Sequence, residues 1–423
     1  MNYFKRLSIY ALSNFLNKGI SFCLLMIISH YLIPEEMGIY TLFTVCVAVV
    51  LPFIHLGTIS GVQVEYFKMQ KNDLMKYITS SLVYPFCSFV LILAVVVIFR
   101  DSLSSLTNIP SEWMFLIPVL AFVKVIPMLV SAVYRSMENV IKYSIYNNSL
   151  MVLCFLLTIF FVAVLGMKWE GRALGMLVSF LIFFVAGIAI LKKNHLVGNS
   201  IKKEYQISAL VFGVPLVPHL VSSVLIDASD RMFIANIVSI HDVGIYNMGY
   251  KFGALILLLQ NTLFNVWNPF LYNRLSKNDT TSKNEIVKQA YICVLLIIGA
   301  VCVLTIISPF FFDYIIASEY KEGIQYVFWV ALGYAFFAFY NMLSSFILYA
   351  KKTAVLSYIS GINVVLNLVL NYYFIKHYGT IGAAYATAIS FFSVFILAFV
   401  YIYKLSPMPW FSFRSIPKEN IAV

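Results

Sequence analysis

The chain has 423 residues, of which 61% are hydrophobic and 11% are charged, and its mean hydropathy is +0.89. A soluble domain carries about 25% charged residues, so this composition excludes a soluble globular protein. The formal net charge of +11 does not call for nucleic acid, because the basic loops of a membrane protein face anionic lipid headgroups.

Twelve apolar segments are long enough to be membrane spans, since about 20 helical residues cross a hydrocarbon core of about 30 Å. They predict an all-α membrane protein with twelve transmembrane helices. A cleavable signal peptide is not expected, because the first segment holds polar residues and no small-residue cleavage site follows it. In chain order the segments are 9–29, 40–60, 77–99, 113–134, 144–166, 172–191, 207–229, 245–270, 288–311, 323–349, 354–375 and 380–403.

Basic residues are distributed unequally between the loops that connect these spans. With the N-terminus inside, twenty of the twenty-nine Lys and Arg fall on the cytoplasmic side, six fall outside and three lie within spans. The positive-inside rule therefore predicts that both termini and the basic stretch 191–206 are cytoplasmic. The six Cys are scattered singly through apolar segments, without a disulfide or zinc spacing. No cofactor, metal site or catalytic residue is predicted.

Two patterns occur twice in the chain. Gly38-Ile39-Tyr40 returns as Gly244-Ile245-Tyr246, at an offset of 206 residues. This duplication predicts two six-helix lobes around a central cavity, an arrangement typical of transporters. The predicted lobes are residues 1–200 and 205–405, followed by a cytoplasmic tail, 406–423. A second echo, at an offset of 211, relates Gly171, Ala173, Ser179, Phe180 and Phe184 to Gly382, Ala384, Ser390, Phe391 and Phe395.

Polar side chains within the predicted spans are candidates for the cavity, because ionisable groups at membrane depth are costly and usually face a cavity or a partner. Lys18 and Lys124 lie mid-span without an acidic neighbour in their own segments. Lone cations of this kind favour an anionic cargo such as a lipid-linked diphosphate. The candidate cavity residues are Asn14, Asn17, Lys18, Lys124, Lys251 and Asn265.

The seventh span carries a continuous polar face that is a candidate for ion coupling. Its residues in this role are His219, Asp227, Asp230 and Arg231. His219 could titrate near neutral pH, and Asp227 could exchange Arg231 for an ion. A helix-end salt bridge between Asp227 and Arg231 is the alternative interpretation.

Two other polar features have structural alternatives. Lys251 lies near the end of its span, where a lysine can snorkel to the interface. Asn363, Asn367 and Asn371 form a stripe of the kind that bonds transmembrane helices together.

The stretch Leu32-Ile33-Pro34-Glu35-Glu36-Met37-Gly38-Ile39-Tyr40 resembles the "LgPeefGiY" signature of bacterial polysaccharide-transport proteins. Gly213-Val214-Pro215, Asp230-Arg231 and Asp242-Val243-Gly244-Ile245-Tyr246 form a looser second copy. That family includes the Wzx-type O-antigen flippases of the multidrug/oligosaccharidyl-lipid/polysaccharide exporter superfamily. One departure is Ile33, where the signature has glycine.

The resemblance implies a V-shaped pair of six-helix lobes in the bacterial inner membrane. It also implies a flippase that moves a polyprenyl-diphosphate-linked oligosaccharide, such as an O-antigen unit of lipopolysaccharide, to the outer leaflet. Candidate partners are this lipid-linked glycan, membrane lipids, other polysaccharide-assembly proteins, and H+ or Na+.

Two other functions compete with this one. A drug or metabolite exporter of the same superfamily would share the fold, but an exporter of cationic drugs would need carboxylates in its cavity. An integral-membrane polymerase or ligase would leave the duplication unexplained, and no paired carboxylates indicate catalysis. The sequence therefore favours a transporter over an enzyme.

Overall fold

The computed structural model describes residues 3–277, 279–350, 352–405 and 408–410, and only the backbone at 3–8, 10–11, 219, 223, 226–227, 265 and 353–354. Within these ranges the chain forms helices and no β-strand, which confirms the all-α prediction. The predicted tail, 406–423, lies outside the described residues except for 408–410.

Seventeen α-helices make up the described structure, and each predicted span falls on one of them or on consecutive ones. Several spans are broken by short 3-10 or π turns, at Val214–Leu216 and Phe160–Val164 for example. The helices are α1 (Tyr3–Ile28), α2 (Pro34–His55), α3 (Thr58–Glu65), α4 (Lys71–Ser81), α5 (Val83–Ile98), α6 (Arg100–Thr107), α7 (Leu116–Ser136), α8 (Val140–Ile159), α9 (Trp169–Lys193), α10 (Lys203–Gly213), α11 (Val217–Ile237), α12 (Ile240–Gly253), α13 (Ile256–Lys277), α14 (Thr280–Tyr314), α15 (Ile324–Tyr349), α16 (Thr353–Tyr378) and α17 (Ile381–Leu405).

Ten helical segments of the described chain are long and apolar enough to cross a membrane. The bent pair Ile240–Phe264 and Val266–Lys277, with a break of 41°, makes an eleventh. The apolar segment Leu12–Ile28 is shorter than the others and coincides with the first predicted span. Because consecutive spans alternate in direction, residues 29–33 and 238–239 lie at one end of the bundle, here called the motif end. Residues 194–202 lie at the opposite end, here called the linker end.

The two halves of the chain, α1–α9 and α10–α17, meet at the motif end through the duplicated glycines. A Cβ atom at Gly38 would lie 2.1 Å from the carbonyl oxygen of Ile240, and one at Gly244 would lie 2.0 Å from that of Pro34. Pro34 and Ile240 are themselves 206 positions apart, so the contact is reciprocal between the two repeats. Small residues allow such close backbone approach between membrane helices. The sequence motif therefore marks the crossing of α2 and α12.

A second close approach of the halves lies within the bundle, at the end of α10 and about 15 Å from the linker end, where that helix begins. Leu56 and Gly57 break the helix after α2 by adopting positive φ angles of 44° and 68°. A Cβ atom at Gly213 would lie 2.0 Å from the carbonyl oxygen of Leu56. Gly213 is also where α10 ends and a 3-10 turn containing Pro215 begins. Both chain breaks thus meet at one point between the halves.

The linker between the halves is bound to the first half. The backbone N–H of Gly198 donates to Thr79 Oγ1 at 3.0 Å, and that of Lys202 donates to Ser80 Oγ at 2.9 Å. Beyond the linker, α10 packs against α4 and α3, with the Tyr205 ring 6.1 Å from that of Tyr77. The first helix after the predicted lobe boundary therefore lies on the first lobe.

Candidate functional site

The predicted cavity residues of α1 have different surroundings. Asn14 and Lys18 are exposed, whereas Asn17 is partly buried. Asn17 donates from Nδ2 to Asn148 Oδ1 at 2.6 Å, and Ser13 Oγ lies 3.5 Å from the same oxygen. Asn17 thus joins α1 to α8, whereas Asn14 and Lys18 have no such bond among the described residues.

Lys124 lies inside the first half. It is partly buried, and its Nζ lies 5.1 Å from the centre of the Phe180 ring of α9. The Cys154 thiol of α8 is within electrostatic reach. Among the described residues no carboxylate lies within ion-pair distance of Lys124. Its described neighbours include an aromatic ring and a thiol.

The other predicted cavity residues are in the second half. Lys251 is exposed near the end of α12. The side chain of Asn265 lies outside the described part of the chain. Lys18, Lys124 and Lys251 lie on three different helices, α1, α7 and α12. No described contact joins them.

The coupling candidates centre on a buried cluster of the second half. Asp230 and Arg231 are 2% and 4% exposed, and Arg231 Nη1 donates to Asp230 Oδ1 at 2.9 Å. Tyr246, from the second copy of the motif, donates to Asp230 Oδ2 at 2.7 Å. The guanidinium carbon of Arg231 lies 3.9 Å from the centre of the Tyr250 ring, and Tyr250 is hydrogen-bonded to Tyr334. The side chains of His219 and Asp227 lie outside the described residues.

The asparagine stripe of α16 connects three helices of the second half. Asn371 donates to Asn367 Oδ1 at 3.0 Å, and Asn367 donates to Ser390 Oγ of α17 at 3.2 Å. Ser229 of α11 donates to the same Asn367 oxygen at 3.3 Å. These bonds fit the interpretation of the stripe as a helix-bonding feature.

Arg172, which begins the sixth predicted span, lies in the first turn of α9. The guanidinium carbon of Arg172 lies 4.0 Å from the centre of the Tyr40 ring, so the first copy of the motif also places its tyrosine against an arginine. Its Nη1 lies 2.7 Å from the Met37 sulfur. Arg172 directly follows Gly171, which belongs to the second sequence echo. This position next to a repeated residue is the sequence feature that could have drawn attention to Arg172.

In the described part of the chain, no three His, Cys, Asp or Glu side chains are grouped so that they could hold a metal ion. Apolar surface grooves include one along α16 beside Tyr358 and one between α2 and α5 beside Phe53. Neither contains a candidate residue.

Comparison with known proteins decides the family. The model of the family described as polysaccharide biosynthesis protein matches residues 4–275, more than half of the chain. The chain belongs to this family. A second family model, MatE, matches residues 215–373 of the chain. A search of curated proteins found no match.

Solved structures show the same fold for this family member. The lipid II flippase MurJ in an inward closed conformation matches with a TM-score of 0.77 at 14% identity, covering 93% of this chain and 87% of that one. An inward-facing multidrug resistance MATE transporter of the MOP superfamily matches with a TM-score of 0.70 at 16% identity, covering 95% and 97%. An outward-facing conformation of such a transporter gives 0.58 at 16% identity, covering 94% and 93%. The family member therefore has the two-lobed fold of flippases and multidrug transporters.

Proposed function

We propose that this protein is a flippase that moves a polyprenyl-diphosphate-linked oligosaccharide from the cytoplasmic to the outer leaflet of a bacterial inner membrane by alternating access. O-antigen units and other surface polysaccharide repeats are the substrates in view, and the family match supports a role in polysaccharide assembly. The observation that carries the proposal is Lys124, a cation within the first half that no described carboxylate neutralises. A diphosphate would supply the negatively charged partner that would neutralise this cation.

The roles of the other polar residues follow from this proposal. Exposed Lys18 and Asn14 on α1, with Lys251 and Asn265 of the second half, would contribute to the cavity in which the diphosphate and sugars move. The polar face of α11, with His219, Asp227, Asp230 and Arg231, would respond to H+ or Na+ during the cycle. Rocking of the two halves about the cavity would then change which leaflet the cavity faces.

The proposed orientation places the motif end outside and both termini in the cytoplasm. Two independent observations support it. Twenty of the twenty-nine basic residues fall on the linker side of the predicted topology. The fold also matches an inward-facing transporter better than an outward-facing one at equal identity, and an inward-facing transporter is closed at its outer end. Here the halves are in backbone contact at the motif end.

Single-cysteine labelling tests this orientation. Native thiols are removed, and either Ser200→Cys in the linker or Val238→Cys at the motif end is introduced. An impermeant maleimide added to intact spheroplasts should label residue 238 and leave residue 200 unlabelled. The opposite pattern would overturn the orientation.

The substrate proposal is tested by deleting the gene and complementing with variants. Deletion should remove a surface glycan and cause its lipid-linked precursor to accumulate on the cytoplasmic leaflet. Lys18→Ala with Lys124→Ala should reproduce this phenotype at a normal protein level, whereas Lys18→Arg should retain more transport because it keeps the charge. Normal surface glycan in the double alanine variant would overturn the cationic cavity.

A drug or metabolite exporter is the second candidate function. The MatE match to residues 215–373 and the MATE-like fold favour it. An exporter should change the sensitivity of the deletion strain to toxic compounds and leave its surface glycans intact. Loss of glycan with unchanged drug sensitivity supports the flippase.

A further inference from the structure

Arg172 is held in an unusual environment for a cationic side chain. It lies three residues into α9, is partly buried, and stacks on Tyr40 with the guanidinium carbon 4.0 Å from the ring centre. Stacking on an aromatic face fixes the plane of a guanidinium and leaves its edge donors free to bind. The tyrosine of the first motif copy therefore orients this arginine.

The donors of Arg172 are poorly satisfied. A guanidinium carries five N–H donors, and a thioether sulfur is only a weak acceptor. Nη1 points at the Met37 sulfur, 2.7 Å away, and Nε is buried without a partner. The nearby carboxylate of Glu36 pairs with Lys168 at 3.2 Å. Within the described part of the chain no carboxylate lies within ion-pair distance of Arg172. Partial burial of a cation without a neutralising acid is unfavourable, and binding of an anion relieves this cost.

Arg172 and Lys124 lie on α9 and α7, which pack against each other. Both cations are within electrostatic range of the Cys154 thiol of α8. Lys124 is eight residues from the motif-end start of α7, and Arg172 is three residues from that of α9. At about 1.5 Å per residue, these positions are about 12 Å and about 5 Å from the motif end. The two cations thus form a series that approaches this end.

Contacts between the halves cover Arg172 in the present conformation. Met37 is fully buried in a cluster that contains residues of both halves, such as Leu32 and Phe252. Tyr320 of the second half donates to the carbonyl oxygen of Leu32 at 2.6 Å. Met37 belongs to the first half, as Arg172 does, and the second half covers it. Separation of the halves at the motif end would expose the Met37 side chain, so that it could turn aside and uncover the guanidinium edge that it contacts.

We infer that Arg172, oriented by Tyr40, is the binding residue that receives the diphosphate of the cargo at the motif end as the halves separate there. This inference rests on the proposed flippase function and adds a second anion-binding position to it, nearer the motif end than Lys124. Phosphate oxygens would then replace the Met37 sulfur at the guanidinium edge. They are strong acceptors for paired N–H donors.

The test is binding of farnesyl diphosphate to the purified full-length protein at low ionic strength, with farnesol as the uncharged reference. Arg172→Met removes the charge. Met37→Glu leaves the arginine in place but supplies the carboxylate it lacks, and Met37→Gln is its uncharged control of the same shape. Lys376→Met controls for loss of a cation stacked on a tyrosine, since Lys376 lies over Tyr372 at 5.7 Å on α16.

Arg172→Met and Met37→Glu should each raise the Kd for farnesyl diphosphate by roughly tenfold or more, because a charge-assisted hydrogen-bonded contact is lost. Met37→Gln and Lys376→Met should stay within about twofold of the parent, since neither neutralises Arg172. Surface glycan in complemented cells should follow the same order.

The outcomes separate this inference from the proposed function. If Arg172→Met and Met37→Glu bind like the parent while Lys124→Ala binds weakly, the role of Arg172 is wrong and the anionic-cargo function stands. If the parent itself binds farnesyl diphosphate no better than farnesol, both are wrong. Should Arg172→Met fail to fold, Met37→Glu against Met37→Gln gives the answer, because both keep the arginine.

Discussion

Each copy of the Gly-Ile-Tyr motif places a tyrosine next to an arginine, but the two arginines differ in whether a carboxylate lies at ion-pair distance. In the second half, Arg231 is paired with Asp230 at 2.9 Å, and Tyr246 donates to the same carboxylate. In the first half, Arg172 stacks on Tyr40 without any described carboxylate within reach. The motif is duplicated, but its arginines come from different helices, α11 and α9.

This difference separates a structural role from a binding role. A buried ion pair is internally neutral, and removing one partner leaves an uncompensated charge. A partly buried cation without an acid at ion-pair distance gains when an anion arrives. We therefore expect the second-half cluster to contribute more to stability, and the first-half cluster to be the one that attracts an anion.

Breaking the second-half pair should have the largest effect on stability. Asp230→Asn removes the carboxylate that Arg231, which is 4% exposed, contacts at 2.9 Å, and we expect a loss of about 3–5 kcal/mol. Thermal unfolding in detergent and the amount of protein in the membrane measure this. Asp101→Asn is the control, because both members of its pair with Arg100 are exposed, at 79% and 58%, and such pairs contribute about 0–1 kcal/mol. Equal losses in the two variants would contradict the assignment.

The glycines of the two motif copies should respond alike, unlike the arginines. Leucine at position 38 or 244 collides with a backbone carbonyl of the other half, and overpacking of this kind costs about 1–3 kcal/mol. The halves should then separate at the motif end. Ser29→Cys, buried in that contact, is the reporter, and its labelling should rise in both variants. Gly299→Leu, with open space around the position, should leave labelling unchanged. A rise in only one motif variant would disprove the reciprocal contact.

Substituting the tyrosines of the two motif copies should change stability by a smaller amount. Tyr246→Phe removes a hydrogen bond to the Asp230 carboxylate, and bonds to charged groups contribute about 1.5–3 kcal/mol. Tyr40→Phe keeps the aromatic face on which Arg172 stacks, so its effect on unfolding should be smaller. Unfolding midpoints of the two variants, measured in the same detergent, give the comparison. A larger loss for Tyr40→Phe would reverse the roles of the two clusters.

Removal of Arg172 should have the smallest effect on stability. Arg172→Met loses a cation–π contact but strands no carboxylate, and we expect a change within about 1 kcal/mol. Unfolding of this variant beside Asp230→Asn measures the contrast directly. A loss comparable to that of Asp230→Asn would make Arg172 part of the scaffold.

Composition and periodicity predicted the helical class and the positions of the spans, because membrane crossing imposes a length and an apolarity that a single sequence displays. The repeat offset of 206 residues also predicted which segments are equivalent. It could not predict that Gly38 and Gly244 contact each other's repeats, since this depends on how α2 and α12 cross.

The chemistry of the site was only partly predictable. Lys124 was identified by its depth in the membrane alone. That depth could be estimated because the apolar segment defines where the span begins and ends. Arg172 was missed because it begins a span, where arginines usually reach the interface. Its stacking on Tyr40 brings together residues 132 positions apart, and no local pattern in the sequence encodes that contact.

The docking of the linker on α4 separates the boundary of the sequence repeat from the boundary of mechanical motion. Residues 198 and 202 and the whole of α10 are attached to the first half, while α11 belongs to the second. We therefore expect the turn at Gly213 and Pro215 to act as the hinge, with α10 moving together with the first half. A chain cut for expression as two complementing fragments should accordingly be divided near residue 213, since a cut at 200 would strip the first fragment of a helix that covers its surface.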